Sequence, residues 1–213
     1  MEHKYLKKLG LSFLSFFIIS LLITPLLPKG YENYISFIAP CIILFVLIFI
    51  YYNELKEDFN KLNKGNIKNA FKIYISGLTI FFIYNIIKNY FFDSMMPLNE
   101  EFVRNFFKGN FLIASIFSIF IAPVYEEILF RLSIYKATKN KKVFLVLSST
   151  LFALLHISNI MVISELVNVI GYLILSFTLS YSLYKEDNIW ASITLHIFHN
   201  FLMALILYLG ELI

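Results

Sequence analysis

The sequence predicts an all-α fold, a polytopic bundle of transmembrane helices. Of its 213 residues, 59% are hydrophobic and 15% are charged, and the mean hydropathy is +0.75. Soluble domains contain only about 45 to 50% apolar residues. Long apolar runs also recur along the chain, and the segments between them hold most of the lysines. Because no internal repeat and no Gly/Ser/Pro-rich linker divides the chain, we expect one membrane-embedded domain over residues 1–213.

Seven apolar runs approach the length of about 20 helical residues that a bilayer requires. They cover residues 9–28, 35–52, 73–92, 111–135, 143–163, 166–184 and 189–209. The first run could instead be a signal peptide, but the small-x-small cleavage site is missing, which favours a retained helix. A re-entrant segment near residues 158–169 would alter the number of spans.

The basic residues predict how the spans are oriented. Segments 1–8, 53–72, 136–142 and 185–188 together hold thirteen Lys and Arg residues, and the alternate segments between spans hold three. Basic loops stay on the cytoplasmic side, so we expect a multi-pass protein of the cell membrane with a cytoplasmic N-terminus and an external C-terminus. The net charge of +4 does not indicate a nucleic-acid partner, since the lysines form short clusters and no single basic face. One cysteine, Cys41, excludes an intrachain disulfide.

Three charges lie inside the fourth apolar run, at Glu126, Glu127 and Arg131. Each charge near the centre of a membrane helix costs about 2.5 to 3.5 kcal/mol, so such residues need a partner or a function. On a helix, Glu127 and Arg131 are i,i+4 neighbours and can pair, whereas Glu126 looks along a different face. We expect Glu127 to be neutralised locally and Glu126 to be free to act. A purely structural polar patch is the alternative.

Two histidines and an asparagine are expected at a depth similar to that of Glu126. Counted from the nearest lysine cluster at about 1.5 Å per residue, Glu126 lies about 15 Å deep and His156 about 21 Å deep. On the same count His196 lies about 16 Å deep and Asn200 about 22 Å deep. His196 and Asn200 share a helix face, and Phe152 shares the face of His156. The sequence therefore predicts one buried polar site, although each residue alone could be a packed core residue or an interhelical hydrogen bond.

This set of residues is suited to hydrolysis. A glutamate, or a glutamate with a histidine, can hold a water and remove its proton. Histidine and asparagine side chains can donate hydrogen bonds to the oxyanion that forms on an attacked carbonyl. No cofactor and no metal is expected. The three histidines at 156, 196 and 199 with Glu126 could still hold zinc, but no His-Glu-x-x-His motif is present. Neither a Gly-x-Ser-x-Gly nucleophile nor an aspartate within a predicted span is visible.

Three motifs in this order resemble those of the CAAX protease and bacteriocin-processing family of intramembrane glutamic endopeptidases, which are related to the CAAX prenyl endopeptidase and the bacterial Abi immunity proteins. The motifs are Glu126-Glu127-x-x-x-Arg131, Phe152-x-x-x-His156 and His196-x-x-x-Asn200. The motif-bearing region covers about residues 111–209. The family often has an eighth helix, so seven or eight spans are expected, with a buried polar cavity that opens to the cytoplasmic side.

The resemblance also implies roles for the motif residues. Glu126 and His156 would activate water, and His196 and Asn200 would form the oxyanion pocket. Glu127 and Arg131 would support the site. The implied function is hydrolysis of a peptide bond in a membrane-associated protein or peptide, with the lipid bilayer as the environment.

Two other functions remain open on the sequence. A small proton-coupled transporter could relay protons through buried Glu and His residues, but the inverted halves with broken helices that it favours are not evident. A non-enzymatic bacteriocin-immunity protein of the membrane is the other alternative. Two residues stay without an assigned role: Lys88 snorkels or pairs, and His199 either packs or joins the site.

Overall fold

The computed structural model describes residues 3–26, 32–92, 98–109, 111–157 and 161–211. Within these ranges the chain forms eight helices and no β-strand, which confirms the predicted helix bundle. The first four helices are α1 (His3–Leu26), α2 (Glu32–Lys61), α3 (Lys64–Phe92) and α4 (Leu98–Gly109). The others are α5 (Phe111–Ala137), α6 (Lys141–Leu155), α7 (Ile163–Glu186) and α8 (Ile189–Glu211).

Six of the described helices, all except α4 and α6, are long and apolar enough to cross a membrane. The predicted span over residues 143–163 corresponds to α6, which has only 15 residues. At about 1.5 Å per residue α6 is about 22 Å long, shorter than the hydrocarbon core of about 30 Å. The number of seven or eight spans therefore stays a prediction. The re-entrant segment considered near residues 158–169 lies partly outside the described residues, and α7 begins within it.

Two of the segments between the predicted spans are largely helical. Residues 53–72 lie mostly in α2 and α3, joined only by a short turn, so these helices extend beyond the predicted spans and Asp58 is a helical residue. The segment between the third and fourth predicted spans contains α4.

The basic segments predicted to be cytoplasmic meet at one end of the bundle. This end, formed by residues 4–8, 54–72, 135–142 and 185–190, is called the lysine-rich face below. The Lys8 amine lies 2.6 Å from the Glu54 carboxylate, and the Asn66 side chain donates to Glu186 at 3.1 Å. Because α1, α2, α3 and α7 all contribute to these contacts, the alternation of basic and neutral segments corresponds to two opposite ends of the fold. Which end is cytoplasmic stays a prediction.

The end of α2 is fixed to the start of α8 at this face. The Asp58 carboxylate accepts from the backbone N–H of Ile189 at 3.0 Å, and the Asn188 side chain donates to the Asp58 carbonyl at 2.6 Å. The Trp190 indole donates to the Leu55 carbonyl at 2.9 Å. Buried backbone groups at helix ends need such partners. The contacts therefore fix where α8 begins, and α8 carries the third motif.

Two π-helical turns interrupt α5, at Phe117–Ile121 and Glu127–Leu132. Such turns lengthen the hydrogen-bond register by one residue and occur often at functional sites. In the first turn, the N–H of Ala122 bonds to the carbonyl of Phe117, five residues back. The next donor in this register would be residue 123, a proline, which has no N–H. The Ser118 carbonyl is therefore left for a donor from another helix.

Candidate active site

A cavity of about 350 Å³ lies between α3 and the helices α4 to α8. All four predicted catalytic residues line it, namely Glu126, His156, His196 and Asn200. The structure therefore brings the three motifs together around one space, called the site cavity below. Glu127 and Arg131, which the sequence assigned a supporting role, are fully buried behind its wall.

The Glu126 carboxylate is the acidic group of the site cavity. Its side chain is 15% exposed, whereas that of Glu127 is 0% exposed. One oxygen of Glu126 accepts from the Tyr125 hydroxyl at 3.2 Å, and the other lies 3.7 Å from Nε2 of His196. Neither contact encloses the carboxylate, so it can bind a small polar molecule in the cavity. Tyr125 was not identified from the sequence, since nothing in the motif spacing indicates it.

Glu127 is held by three groups from two helices. Its Oε1 atom lies 2.9 Å from His196 Nδ1 and 3.3 Å from the Arg131 guanidinium. Its Oε2 atom accepts from the Ser192 hydroxyl at 2.6 Å. The expected i,i+4 pairing of Glu127 with Arg131 is therefore present. Charged groups in an apolar interior are tolerated when they are paired and hydrogen-bonded in this way.

Arg131 connects the first motif to the second. The guanidinium donates to the Ser176 hydroxyl at 2.9 Å, and its central carbon lies 3.9 Å from the centre of the Phe152 ring. That distance is typical of a cation–π contact. The same ring also packs on His156, with 4.3 Å between the ring centres. Phe152 therefore contacts both Arg131 and His156. Phe152 thus walls the site, as its spacing predicted.

The ring of His156 is fixed in one orientation. It packs between Phe152 and Tyr172, whose ring centre is 4.9 Å away. Its Nδ1 atom lies 2.8 Å from the Phe152 carbonyl oxygen. A carbonyl only accepts, so Nδ1 carries the proton and Nε2 of the neutral ring is an acceptor. His156 therefore offers a basic nitrogen to the site cavity.

The hydrogen-bond partner of His196 also determines which of its ring nitrogens carries a proton. Its Nδ1 atom must donate to the Glu127 carboxylate, since a carboxylate only accepts. The Nε2 atom then faces Glu126. It accepts a hydrogen bond when the ring is neutral and donates one when both nitrogens are protonated. Ser192, which holds Glu127 from the same helix, lies one turn before His196 and was not singled out from the sequence.

Asn200 is positioned by the first π-helical turn of α5. Its side-chain amide donates to the Ser118 carbonyl at 2.7 Å. This is the carbonyl that Pro123 leaves without a backbone donor. An amide nitrogen has two hydrogens, so one is used by Ser118 and the second is available to a ligand. A proline inside the predicted span was the only sequence feature that could have indicated this contact.

His199 also lines the site cavity, together with Tyr74 of α3. The Tyr74 hydroxyl and Nδ1 of His199 are 3.0 Å apart. The structure thus places His199 at the cavity wall, a choice that the sequence left open. Tyr74 was missed, because a tyrosine near the start of an apolar run is ordinary interfacial composition.

Lys88 does not belong to the site cavity. Its amine donates to the Asn168 side chain at 3.0 Å, between α3 and α7. Of the two roles that the sequence allowed, the structure supports pairing.

In the part of the chain that the structure describes, no group of three or more His, Cys, Asp or Glu side chains is arranged to hold a metal ion. His156 and His196 each use Nδ1 within the protein, so each has only Nε2 for an external ligand.

Comparisons with known proteins identify a match over the part of the chain that carries the three motifs. Residues 108–202 match the family model described as type II CAAX prenyl endopeptidase Rce1-like. An uncharacterized protein of Mycoplasma capricolum subsp. capricolum is 28% identical over 184 residues, which cover 80% of this chain and 54% of that protein. The chain thus spans about half the length of this curated relative. No solved structure gives a significant match.

The matched segment contains all seven residues of the three motifs, from Glu126 to Asn200. The match to this family model over residues 108–202 confirms the resemblance that the sequence motifs indicated, and it covers most of the motif-bearing part of the chain.

Proposed function

We propose that the protein is a glutamic-type intramembrane endopeptidase, which hydrolyses a peptide bond in a membrane-associated protein or peptide. The observation that carries this proposal is the contrast between two adjacent carboxylates. Glu127 is enclosed by Arg131, Ser192 and His196, whereas Glu126 faces the site cavity beside two histidines. Glu127 thus holds neighbouring residues of the site in place, and Glu126 remains available for proton transfer. The family supports a membrane endopeptidase in general.

Glu126 and His156 would activate the water. The carboxylate of Glu126 and Nε2 of His156 both accept, so a water between them has its lone pair directed at the substrate. Glu126 takes a proton as the water oxygen bonds to the scissile carbonyl carbon. When the carbon–nitrogen bond breaks, Glu126 returns that proton to the leaving nitrogen. The overall reaction adds one water and forms a new carboxyl and a new amino terminus.

Asn200 and His196 would stabilise the oxyanion that forms in between. The second amide hydrogen of Asn200 is free of the Ser118 contact, and it can donate to the negative oxygen. His196 can donate through Nε2 only in the doubly protonated ring, because Nδ1 already donates to Glu127. Glu127 and Arg131 are positioning residues in this scheme, since they hold the His196 ring and do not reach the substrate.

Replacement of Glu126 tests the proposal directly. We expect a peptide terminus that membranes of cells with the wild-type protein contain and membranes with Glu126→Gln lack, measured by proteomics of protein termini. Glu57→Gln is the matched control, because Glu57 is an exposed partner of Lys61 on the lysine-rich face. Full processing by Glu126→Gln, at normal protein levels, would end the proposal.

The remaining alternatives give different results in the same cells. A proton-coupled transporter would support substrate-dependent flux in vesicles without any new peptide terminus. A non-enzymatic immunity protein would keep its protective phenotype in Glu126→Gln. A metal-dependent enzyme would lose activity with a chelator and regain it with zinc, and elemental analysis of the purified protein would find the ion.

The proposed location and orientation of the protein rest on the apolar runs and the distribution of basic residues in the sequence. The protein is proposed to act in the cell membrane with its N-terminus in the cytoplasm, on a substrate that is itself associated with the bilayer.

A further inference from the structure

One histidine of the site cavity, His199 of α8, has no part in the proposed reaction. It lies three residues after His196 and one before Asn200, and all three side chains line the cavity. Side chains three residues apart on a helix have their β-carbons about 5 to 6 Å apart. His199 is therefore a near neighbour of the proposed oxyanion pocket.

The helix α8 presents two different sides to the cavity. His196 faces Glu126 of α5, and Asn200 donates to a backbone carbonyl of α5. His199 instead contacts Tyr74 of α3. The groups assigned to the reaction thus lie on the α5 side of α8, and His199 lies on the α3 side. A peptide whose scissile carbonyl occupies the oxyanion pocket would have its neighbouring residues beside His199.

The Tyr74 side chain is held firmly in place. Tyr74 is only 2% exposed. Its ring packs edge-on against Phe198 at 5.8 Å and against Phe71 at 6.3 Å between ring centres. Close packing of this kind restricts a side chain to one rotamer. The hydroxyl group of Tyr74 is therefore fixed at the position where it meets His199.

The contact with Tyr74 determines which nitrogen of His199 carries the proton. The Tyr74 hydroxyl lies 3.0 Å from Nδ1 of His199, and in the described part of the chain it has no other hydrogen-bond partner. A buried hydroxyl hydrogen needs an acceptor. Tyr74 therefore donates and Nδ1 accepts, so the proton of the neutral His199 ring is on Nε2.

This arrangement is the reverse of that at His156, where Nδ1 carries the proton and Nε2 accepts. His199 thus gives the cavity an N–H donor through Nε2, and no partner for this nitrogen is found among the described residues. A peptide carbonyl oxygen is an acceptor that suits such a donor. Because an extended peptide advances about 3.3 Å per residue, the carbonyls on either side of the scissile one lie within reach of the same part of α8.

We propose that His199 binds the substrate main chain, with its Nε2–H donating to a carbonyl oxygen next to the scissile bond. Tyr74 is the positioning residue that keeps the proton on Nε2. The inference rests on the proposed function, because it takes the site cavity to be the place of cleavage. The carbonyl that His199 holds is unchanged by the reaction, so the contact is equally strong in the ground state and in the transition state. Its loss should raise KM and leave kcat unchanged.

The tautomer of His199 can be measured without any substrate. Nitrogen-15 NMR of the purified protein, labelled at its four histidines, distinguishes a protonated ring nitrogen from an unprotonated one, and His199→Gln identifies the signals of His199. At a pH where the ring is neutral, we expect the proton on Nε2 in the wild type and a mixture of both tautomers in Tyr74→Phe. A proton on Nδ1 in the wild type would overturn the inference.

Steady-state kinetics test the contact with the substrate. The probe is a synthetic peptide that covers the cleavage site identified by comparing wild-type and Glu126→Gln membranes. His199→Phe keeps an aromatic ring and removes the donor, so we expect KM to rise about 3- to 10-fold, the value of one neutral hydrogen bond. His199→Gln restores a donor and should stay close to the wild type. Tyr74→Phe should give a smaller rise than His199→Phe.

Tyr84→Phe is the matched control on α3. The Tyr84 hydroxyl donates to the Val167 carbonyl of α7, and neither residue lines the site cavity. We expect this variant to keep the wild-type KM. Thermal midpoints of all the variants verify that each protein is folded.

Three kinetic results would overturn the inference: an unchanged KM in His199→Phe, a fall in kcat alone, or an equal loss in His199→Phe and His199→Gln, which would assign the ring a packing role. If the His199 variants behave as the wild type while Glu126→Gln is inactive, this inference fails and the proposed function stands. If Glu126→Gln still cleaves the peptide, the proposed function fails, and the NMR measurement still decides whether Tyr74 sets the tautomer.

Discussion

Nδ1 of His196 lies 2.9 Å from the carboxylate of Glu127, so the third motif is held by the second carboxylate of the first motif. The same carboxylate pairs with Arg131, which in turn covers the ring of Phe152 in the second motif. A single buried acid thus contacts one motif directly and another through its ion pair. Glu127 is therefore enclosed by its partners, whereas the adjacent Glu126 lines the site cavity.

Loss of Glu127 should destabilise the protein far more than loss of Glu126. Glu127→Ala leaves Arg131 buried without its counter-charge, and a broken buried pair costs about 3 to 5 kcal/mol. Glu126→Ala removes a partly exposed carboxylate from a cavity, so the fold should persist. Thermal unfolding in detergent, followed by near-UV circular dichroism, compares the two variants. Equal midpoints would contradict the assigned roles.

A double replacement separates stability from activity at the same pair. Glu127→Leu with Arg131→Met substitutes apolar groups for both charges, and such swaps are often neutral or stabilising. We expect the thermal midpoint to recover relative to Glu127→Ala while processing of the substrate stays lost, because His196 no longer has an acceptor for Nδ1. Recovery of processing would show that Glu127 does not position His196.

Asn200→Ala should lower kcat with little effect on the fold. An oxyanion donor is worth about 100-fold to 1,000-fold in kcat, and Asn200 offers one free amide hydrogen. Steady-state kinetics with the identified substrate measure the change. The control is Asn85→Ala, because the Asn85 amide donates to the Phe81 carbonyl within α3 and Asn85 does not line the site cavity. A raised KM with unchanged kcat would assign Asn200 to substrate binding.

Pro123→Ala should affect the reaction through a backbone carbonyl. The new N–H can donate to Ser118 in the π-helical register, and it then competes with the amide of Asn200. We expect a lower kcat at an unchanged or higher thermal midpoint, since proline is replaced by a good helix former. If activity is unaffected, the Ser118 contact does not position Asn200.

Gly77 marks a close approach of α3 to α7. A β-carbon at this position would collide with the side chain of Thr178, so Gly77→Ala should lower the stability by about 1 to 3 kcal/mol. Gly10→Ala is the matched control, because nothing lies within 4 Å of the carbon that it adds. Comparison of the thermal unfolding midpoints of the two variants tests this prediction. A stable Gly77→Ala would mean that the two helices separate easily.

The sequence predicted which residues line the site cavity more accurately than it predicted the helix boundaries and irregular turns around that cavity. Glu126, His156, His196 and Asn200 were found because charged and polar residues in apolar runs are expensive, and helix geometry limits where they can meet. The same cost indicated the pairing of Glu127 with Arg131. These are local rules, and they apply whatever the neighbouring helices do.

The contacts that depend on irregular backbone could not be predicted. The π-helical turns of α5 change the register by one residue, and no periodicity of side chains reveals them. The Ser118 carbonyl therefore could not be identified as the partner of Asn200. Hydrophobicity alone also merged α6 with the residues after His156 into one span, because apolar composition does not mark where a short helix stops.

The ion pair within α5 has a consequence for how the chain enters the membrane. Glu127 and Arg131 are one helical turn apart on the same segment, so α5 carries its own counter-ion during synthesis. A segment with an isolated buried arginine would depend on a later helix for neutralisation. Here the two opposite charges can reach the lipid phase together, and the insertion of α5 need not wait for α7 or α8 to be made.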